Sequence, residues 1–285
     1  MRRWILVALA VLAASALCVG AAGELLSRPV RQVIGPPPEA LKAETVDIPY
    51  ADQHLSGWQL RGRAGAGVVL LLHGVRSDRR QMAGRASFLH GIGYSVLLID
   101  LPAHGESSGS RITFGAREAE GVKAALAYLA HELPDESIGV IGVSLGAASM
   151  VLADHDPRVR AVVLESMYPT IEDAVGNRLK HYLGPPGEML EPLLLWQLPL
   201  RTGVSPAELR PLTRVDALQT PVFVISGAQD WHTTPEETQR LFDAAAQPKQ
   251  LWIVEGASHV DLHAFGPRDY EDRVSAFLAR HLISH

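Results

Sequence analysis

Gly142-Val143-Ser144-Leu145-Gly146 follows the apolar run Ile138–Ile141 and precedes the helix-forming stretch Ala147–Leu152. A serine with glycine two residues before and two after suits a turn from strand to helix so sharp that the central residue is held in a strained backbone conformation, because only glycine lets the two backbones pass. The hydroxyl is then carried at a helix N-terminus, where the dipole and the free N–H groups favour negative charge. The chemistry this predicts is nucleophilic attack by Ser144, which requires a general base, a group to orient that base and N–H donors for a developing oxyanion. A phosphate-cradling dinucleotide loop would need G-x-G-x-x-G, and Gly139, Gly142 and Gly146 do not have that spacing. Cys18 is the single cysteine, so an intramolecular disulfide, a Cys-rich zinc site and an iron–sulfur cluster are excluded by counting, and no thiol competes with Ser144 in the folded domain.

The elements that must position Ser144 are legible as short apolar runs: Val68–Leu72, Tyr94–Ile99, Ile138–Ile141, Val159–Leu164, Val222–Ile225 and Leu251–Val254. They are nearly continuous rather than alternating, as in strands of a parallel sheet covered on both faces. Between them Val122, Ala125, Leu126, Leu129, Ala130 and Leu133 recur at helical spacing, and Val274, Phe277, Leu278, His281 and Leu282 give a last helix a buried stripe. Asp78-Arg79-Arg80-Gln81 offers a capping box for an earlier helix, whose Arg76, Arg79 and Arg80 are expected in solvent rather than on an anionic substrate. The repeated strand–helix–strand order predicts one α/β domain over residues 45–285, with a mostly parallel, doubly wound sheet. The stretch 171–212, rich in proline and carrying Leu193-Leu194-Leu195-Trp196, reads as a cap inserted over the carboxyl ends of the strands, with Leu190, Leu194 and Trp196 as candidate pocket residues.

The 285 residues are 47% hydrophobic and 20% charged, a mix that folds. A net charge of −5 leaves no basic excess for nucleic-acid binding. At the N-terminus Arg2 and Arg3 precede Trp4–Ala22, a run without a charged side chain. Residues 1–23 are therefore expected to be a signal peptide or membrane anchor, with the rest of the chain exported. Residues 24–44, with Pro36-Pro37-Pro38, are expected to be a tether.

With the elbow in place, the chain resembles the α/β-hydrolase family over nearly everything after the tether. The family order is nucleophile, acid after a late strand, histidine after the last strand. On that pattern the resemblance implies Ser144 as nucleophile, Asp230 after Val222–Ile225 as the acid and His259 after Leu251–Val254 as the base. Glu165, which also follows a strand, is the alternative acid, whereas Asp261 lies too close to His259. His73-Gly74-Val75 resembles the family's H-G-x element, which implies the backbone N–H of Val75 as one oxyanion donor beside that of Leu145. The H-G-G-G form of some lipases and esterases is missing. Asp100-x-x-x-His104-Gly105-x-Ser107 matches a further family element whose role is architectural. His259-x-x-x-His263 has helical metal spacing, but the triad already uses His259, and neither a metal nor a cofactor is expected.

The expected function is an α/β-hydrolase fold carrying a Ser-His-Asp triad that cleaves carboxylic esters through an acyl-enzyme. The same triad would serve a serine aminopeptidase-like peptidase or a thioesterase. A non-catalytic, membrane-anchored binding module is the reading from another class. Serine at the elbow sets aside the branches of the family that use aspartate there.

Overall fold

Every residue of Val68–Leu72 and of Ser95–Ile99 is buried, because alternate side chains of one strand feed two different apolar layers. The computed structural model describes residues 2–282 and places eight strands in one sheet: β1 (Glu44–Tyr50), β2 (Gln53–Leu60), β3 (Val68–Leu72), β4 (Ser95–Ile99), β5 (Ile138–Val143), β6 (Val159–Glu165), β7 (Val222–Gly227) and β8 (Lys249–Val254). Their order across the sheet is β8-β7-β6-β5-β3-β4-β2-β1, parallel except at β2, which runs antiparallel to both neighbours. The six predicted runs are strands β3 to β8. The hairpin β1–β2 is an addition: its outer strand is mostly half-buried or exposed, contains Pro49 and has no continuous apolar run to announce it.

Leu70, Leu72, Leu97, Val140 and Leu164 pack on one face with the helices Ala116–Glu132, Leu145–Leu152 and Pro235–Ala244. Val69, Leu71, Val96, Ile141, Val163 and Phe223 pack on the other with Ala83–Gly91 and Pro267–Leu282. That division is the doubly wound arrangement, with two cores separated by the sheet. In chain order the helices are α1 (Arg2–Ser27), α2 (Ala83–Gly91), α3 (Ala116–Glu132), α4 (Leu145–Leu152), α5 (Ile171–Leu183), α6 (Glu191–Leu195), α7 (Leu198–Thr202), α8 (Pro235–Ala244), α9 (Leu262–Phe265) and α10 (Pro267–Leu282). Between β6 and β7, helices α5 to α7 and several single turns make up the inserted segment, and proline opens most of the short pieces, where a missing N–H costs nothing. Leu195, Leu198, Val204 and Leu209 from this segment join the main core.

The structure corrects the reading of residues 24–44 as a tether. Among the described residues no helix is long and apolar enough to cross a membrane, so the expected anchor gains no support. The end of α1 docks on the domain. Gln197 Nε2 donates to the carbonyl of Val19 at 3.1 Å, Arg201 Nη2 to that of Gly20 at 2.6 Å, and Glu24 pairs with Arg111 and Arg201. Nor are residues 24–44 a free tether: Val30–Arg31 pairs in parallel with His104–Gly105, and Glu106 accepts from the N–H groups of Ile34 and Gly35, both at 3.0 Å.

Arg79 is the second correction. It is fully buried rather than solvated, because its guanidinium bridges Asp100 and Glu106 and lies 4.9 Å over Trp58. Asp78 caps only the turn Arg79–Met82 before α2, and Gln81 accepts from Gly74 N at 2.7 Å instead of closing a capping box. Arg76 and Arg80 follow expectation: both are exposed, and Arg80 pairs with Asp78. A second buried cation, Arg85, makes two hydrogen bonds to Glu165, which also accepts from Tyr270 at 2.6 Å. Arg85 Nη1 lies 2.8 Å from Asp261 as well.

Two buried histidines complete the scaffold. Leu101 N donates to His73 Nε2 at 2.9 Å and Arg76 N to His104 Nε2 at 3.1 Å, so each ring is neutral and carries its proton on Nδ1, facing the carbonyls of Gly74 and Pro102. Burial, with the neighbouring His104 ring second, pushes His73 down to about 3, and burial lowers His104 too.

Removing one member of a buried ion pair strands the other, so Glu165→Ala is expected to lower the unfolding free energy in urea by about 3–5 kcal/mol. The neutral His73 sets a pH dependence of definite sign. The unfolded chain binds a proton below about pH 6.5 that the folded chain refuses, so stability is complete above that value and falls on acidification by up to about 1.4 kcal/mol per pH unit. Urea unfolding at stepped pH between about 7 and 5 reads this directly, and a flat profile would contradict it.

Candidate active site

Ser144 stands between β5 and α4 with φ +49° and ψ −106°, a conformation that L-residues rarely adopt. The flanking glycines explain how the chain reaches it. A Cβ on Gly142 would stand 2.5 Å from the backbone nitrogen of Ala147, and one on Gly146 would stand 2.5 Å from the carbonyl oxygen of Leu72 at the end of β3. Ser144 N donates to the Glu165 carbonyl on β6 at 2.8 Å, which ties the turn to its other neighbour. The serine is 4% exposed and opens onto a mainly apolar cavity of about 180 Å³.

Asp230 and His259 sit at the ends of β7 and β8, and the structure brings them together. His259 Nδ1 lies 2.8 Å from Asp230 Oδ2, while Asp230 Oδ1 accepts from the N–H groups of His232 at 2.9 Å and Thr233 at 3.0 Å. A carboxylate only accepts, so Nδ1 donates and Nε2 is left as the basic nitrogen. Burial pushes the Asp230 carboxyl up, but the bond and charge of His259 together with the two backbone donors outweigh it and hold it below its ordinary value. Among the described residues no hydrogen bond joins Ser144 Oγ to His259. Catalytic hydrogen bonds of this kind are commonly long before substrate binds.

The alternative acid does not reach the site. Glu165 is committed to Arg85 and Tyr270, and Asp261 caps α9 and faces Arg85. His263 pairs with Glu271 at 3.0 Å rather than with His259. Val75 and Leu145 both line the cavity beside Ser144, Leu145 as the first residue of α4, where N–H groups lack intrahelical acceptors. The loop that carries Val75 is fixed on both sides, by Gly74 N on Gln81 and by Arg76 N on His104.

Of the three expected pocket residues, only Leu194 lines the cavity; Trp196 is exposed, and Leu190 lies outside the lining. The rest of the wall comes from Phe114, Tyr168, Ile171 and Leu198, and from Gly23, Leu26 and Ser27 of α1. Sequence reasoning also missed His232. Its ring stacks on His259 with centroids 4.3 Å apart and planes at 18°. Arg178 on α5 holds it by donating to Nδ1 at 3.0 Å, with Asn177 on its carbonyl at 3.2 Å. Burial, the Arg178 charge and His259 lower His232 to about 4. Its place two residues after Asp230 was the one available signal, and nothing in the order of residues linked it to Arg178.

Residues 69–276 match the profile of the Alpha/beta hydrolase family. The uncharacterized protein Rv2307c of Mycobacterium tuberculosis is 32% identical over 229 residues, covering 79% of this chain and 74% of that protein. YqkD of Bacillus subtilis is 23% identical over 228 residues, covering 79% and 75%. Among solved structures, the Pyrococcus furiosus esterase Pf2001 superposes with a TM-score of 0.75 at 29% identity, over 90% of this chain and 98% of that one. The esterase of Exiguobacterium antarcticum, at 15% identity and a TM-score of 0.61, shares the fold. The matched profile, the sheet order with its single antiparallel strand and the serine on a strained strand-to-helix turn agree: this chain belongs to the alpha/beta hydrolase family.

Proposed function

We propose that this hydrolase is a serine esterase that cleaves carboxylic esters through an acyl-enzyme. The observation that carries the reading is the His259–Asp230 hydrogen bond at the ends of β7 and β8, on the same edge of the sheet as the elbow of Ser144. In the first step His259 Nε2 takes the Ser144 proton as Oγ attacks the ester carbonyl carbon, and Asp230 stabilises the resulting imidazolium. The carbonyl π electrons move onto oxygen, where the N–H groups of Val75 and Leu145 receive the charge. Collapse breaks the ester C–O bond, and His259 gives its proton to the departing alkoxide. A water molecule, deprotonated by the same nitrogen, then attacks the acyl-enzyme and releases the carboxylic acid with Ser144 restored.

The cavity favours an ester over a peptide with a free amino terminus. Among the described residues its lining includes no Asp or Glu to pair with an ammonium group, whereas three arginines, Arg76, Arg178 and Arg201, border it. The named esterase among the structural neighbours is consistent with this reading.

A fluorophosphonate probe is expected to label the wild-type chain and not Ser144→Ala; equal labelling of the two overturns the reading. Asp230→Asn, which leaves shape intact but frees the wrong tautomer of His259, should lower kcat on an activated ester by about 10⁴-fold.

A further inference from the structure

We propose that the C-terminal turns of α1, residues 19–27, are a wall of the acyl-binding cavity and set which acyl groups Ser144 accepts. The proposal rests on the esterase reading above and adds its substrate class: esters of uncharged, apolar acyl chains.

Polar contacts from Arg76, Arg111, Ile112, Gln197 and Arg201 fasten this segment to the domain. Glu24 sits between Arg111 at 2.7 Å and Arg201 at 2.6 Å. Gln197 and Arg201 on and beside α7 donate to the carbonyls of Val19 and Gly20, and Arg76 Nη1 donates to that of Leu25 at 3.1 Å. Ser27 is buried, and its carbonyl accepts from Ile112 N at 2.9 Å. Cationic side chains on the last carbonyls of a helix are the favourable polarity for its dipole.

The consequence for the cavity is twofold. Gly23, Leu26 and Ser27 line the cavity together with Leu145, Ile171, Leu194 and Leu198 of the hydrolase domain. The closeness is tight enough that a Cβ on Gly23 would stand 2.6 Å from Gln197 Oε1. The same docking also occupies two of the three bordering arginines. Arg76 and Arg201 spend donors on α1 carbonyls and on Glu24, so the helix turns a cationic rim into an apolar wall. A chain of methylene groups gains from that environment, whereas a carboxylate at its far end would find two of the three cations engaged.

Leu26 is 41% exposed, so its size can be changed without emptying the core. The experiment uses the full-length chain with Leu26→Trp and Leu26→Ala, a series of 4-nitrophenyl esters of graded acyl length, and fluorophosphonate labelling of each variant. The expected result is that Leu26→Trp lowers the kcat/KM ratio of the longest accepted ester to the acetate by about tenfold or more, and that Leu26→Ala raises it. If Ser144 is labelled in all three proteins and the chain-length profile is the same in each, the wall is overturned and the esterase reading stands. If the wild type is neither labelled nor active on any ester, the esterase reading fails and this proposal with it. Should Leu26→Trp fail to fold, the opposite shift expected of Leu26→Ala still decides.

Discussion

The contact on which the site depends is the close approach of two backbones: the carbonyl of Leu72, at the end of β3, against Gly146 in the first turn of α4. No side chain fits there. Because β3 lies beside β5 in parallel register, with Leu72 opposite Gly142, the strand that ends at Leu72 and the helix that starts at Leu145 must share a space with no room for a Cβ. The chain meets that constraint by placing Ser144 at positive φ, and the strain is sustained by the apolar layers on either side of the sheet. The place of Ser144 at the rim of the sheet is thus a by-product of packing far larger than the site itself.

The loops around the elbow are held by ions rather than by apolar packing. Arg79 with Asp100 and Glu106 sits beneath the loops that carry Val75 and His104, and Arg85 with Glu165, Tyr270 and Asp261 lies beneath the loop that carries His259. Buried ion pairs contribute little net stability compared with apolar groups of the same volume. What they supply here is direction: a guanidinium forked between two carboxylates admits few alternative geometries. Each network begins in the segment after β3 and reaches a loop at another strand end, so one short segment registers both the loop of Val75 and the loop of His259.

Much of this was legible in the sequence, and the reasons for the failures are physical. The runs that became β3 to β8 are continuous because parallel strands covered on both faces cannot afford polar residues, and their ends were readable to within two residues. The hairpin β1–β2 was silent, since an edge strand that is half exposed carries the composition of a loop. The positions of Ser144, Asp230 and His259 at strand ends were readable because each follows an apolar run. Arg79 was misread as solvated because a charged residue betrays its burial only through partners, Asp100 and Glu106, that lie 21 and 27 residues further along. The docking of the N-terminal segment was silent for the same reason, since Gln197 and Arg201 are 178 and 181 positions from the carbonyls they bind.

The stacking of His232 on His259 has an electrostatic consequence. A histidine base must carry a positive charge for part of each catalytic cycle, and a second imidazole 4.3 Å away would compete for the same proton. Arg178 removes that competitor, because a guanidinium that donates to Nδ1 leaves His232 no way to become a cation without losing the bond. The neighbour is therefore kept as a flat, polarisable and uncharged surface, with burial and the Arg178 charge holding it down to about 4. The inserted segment between β6 and β7, through Arg178 of α5, thereby sets the charge next to the His259 ring as well as lining the cavity at Ser144.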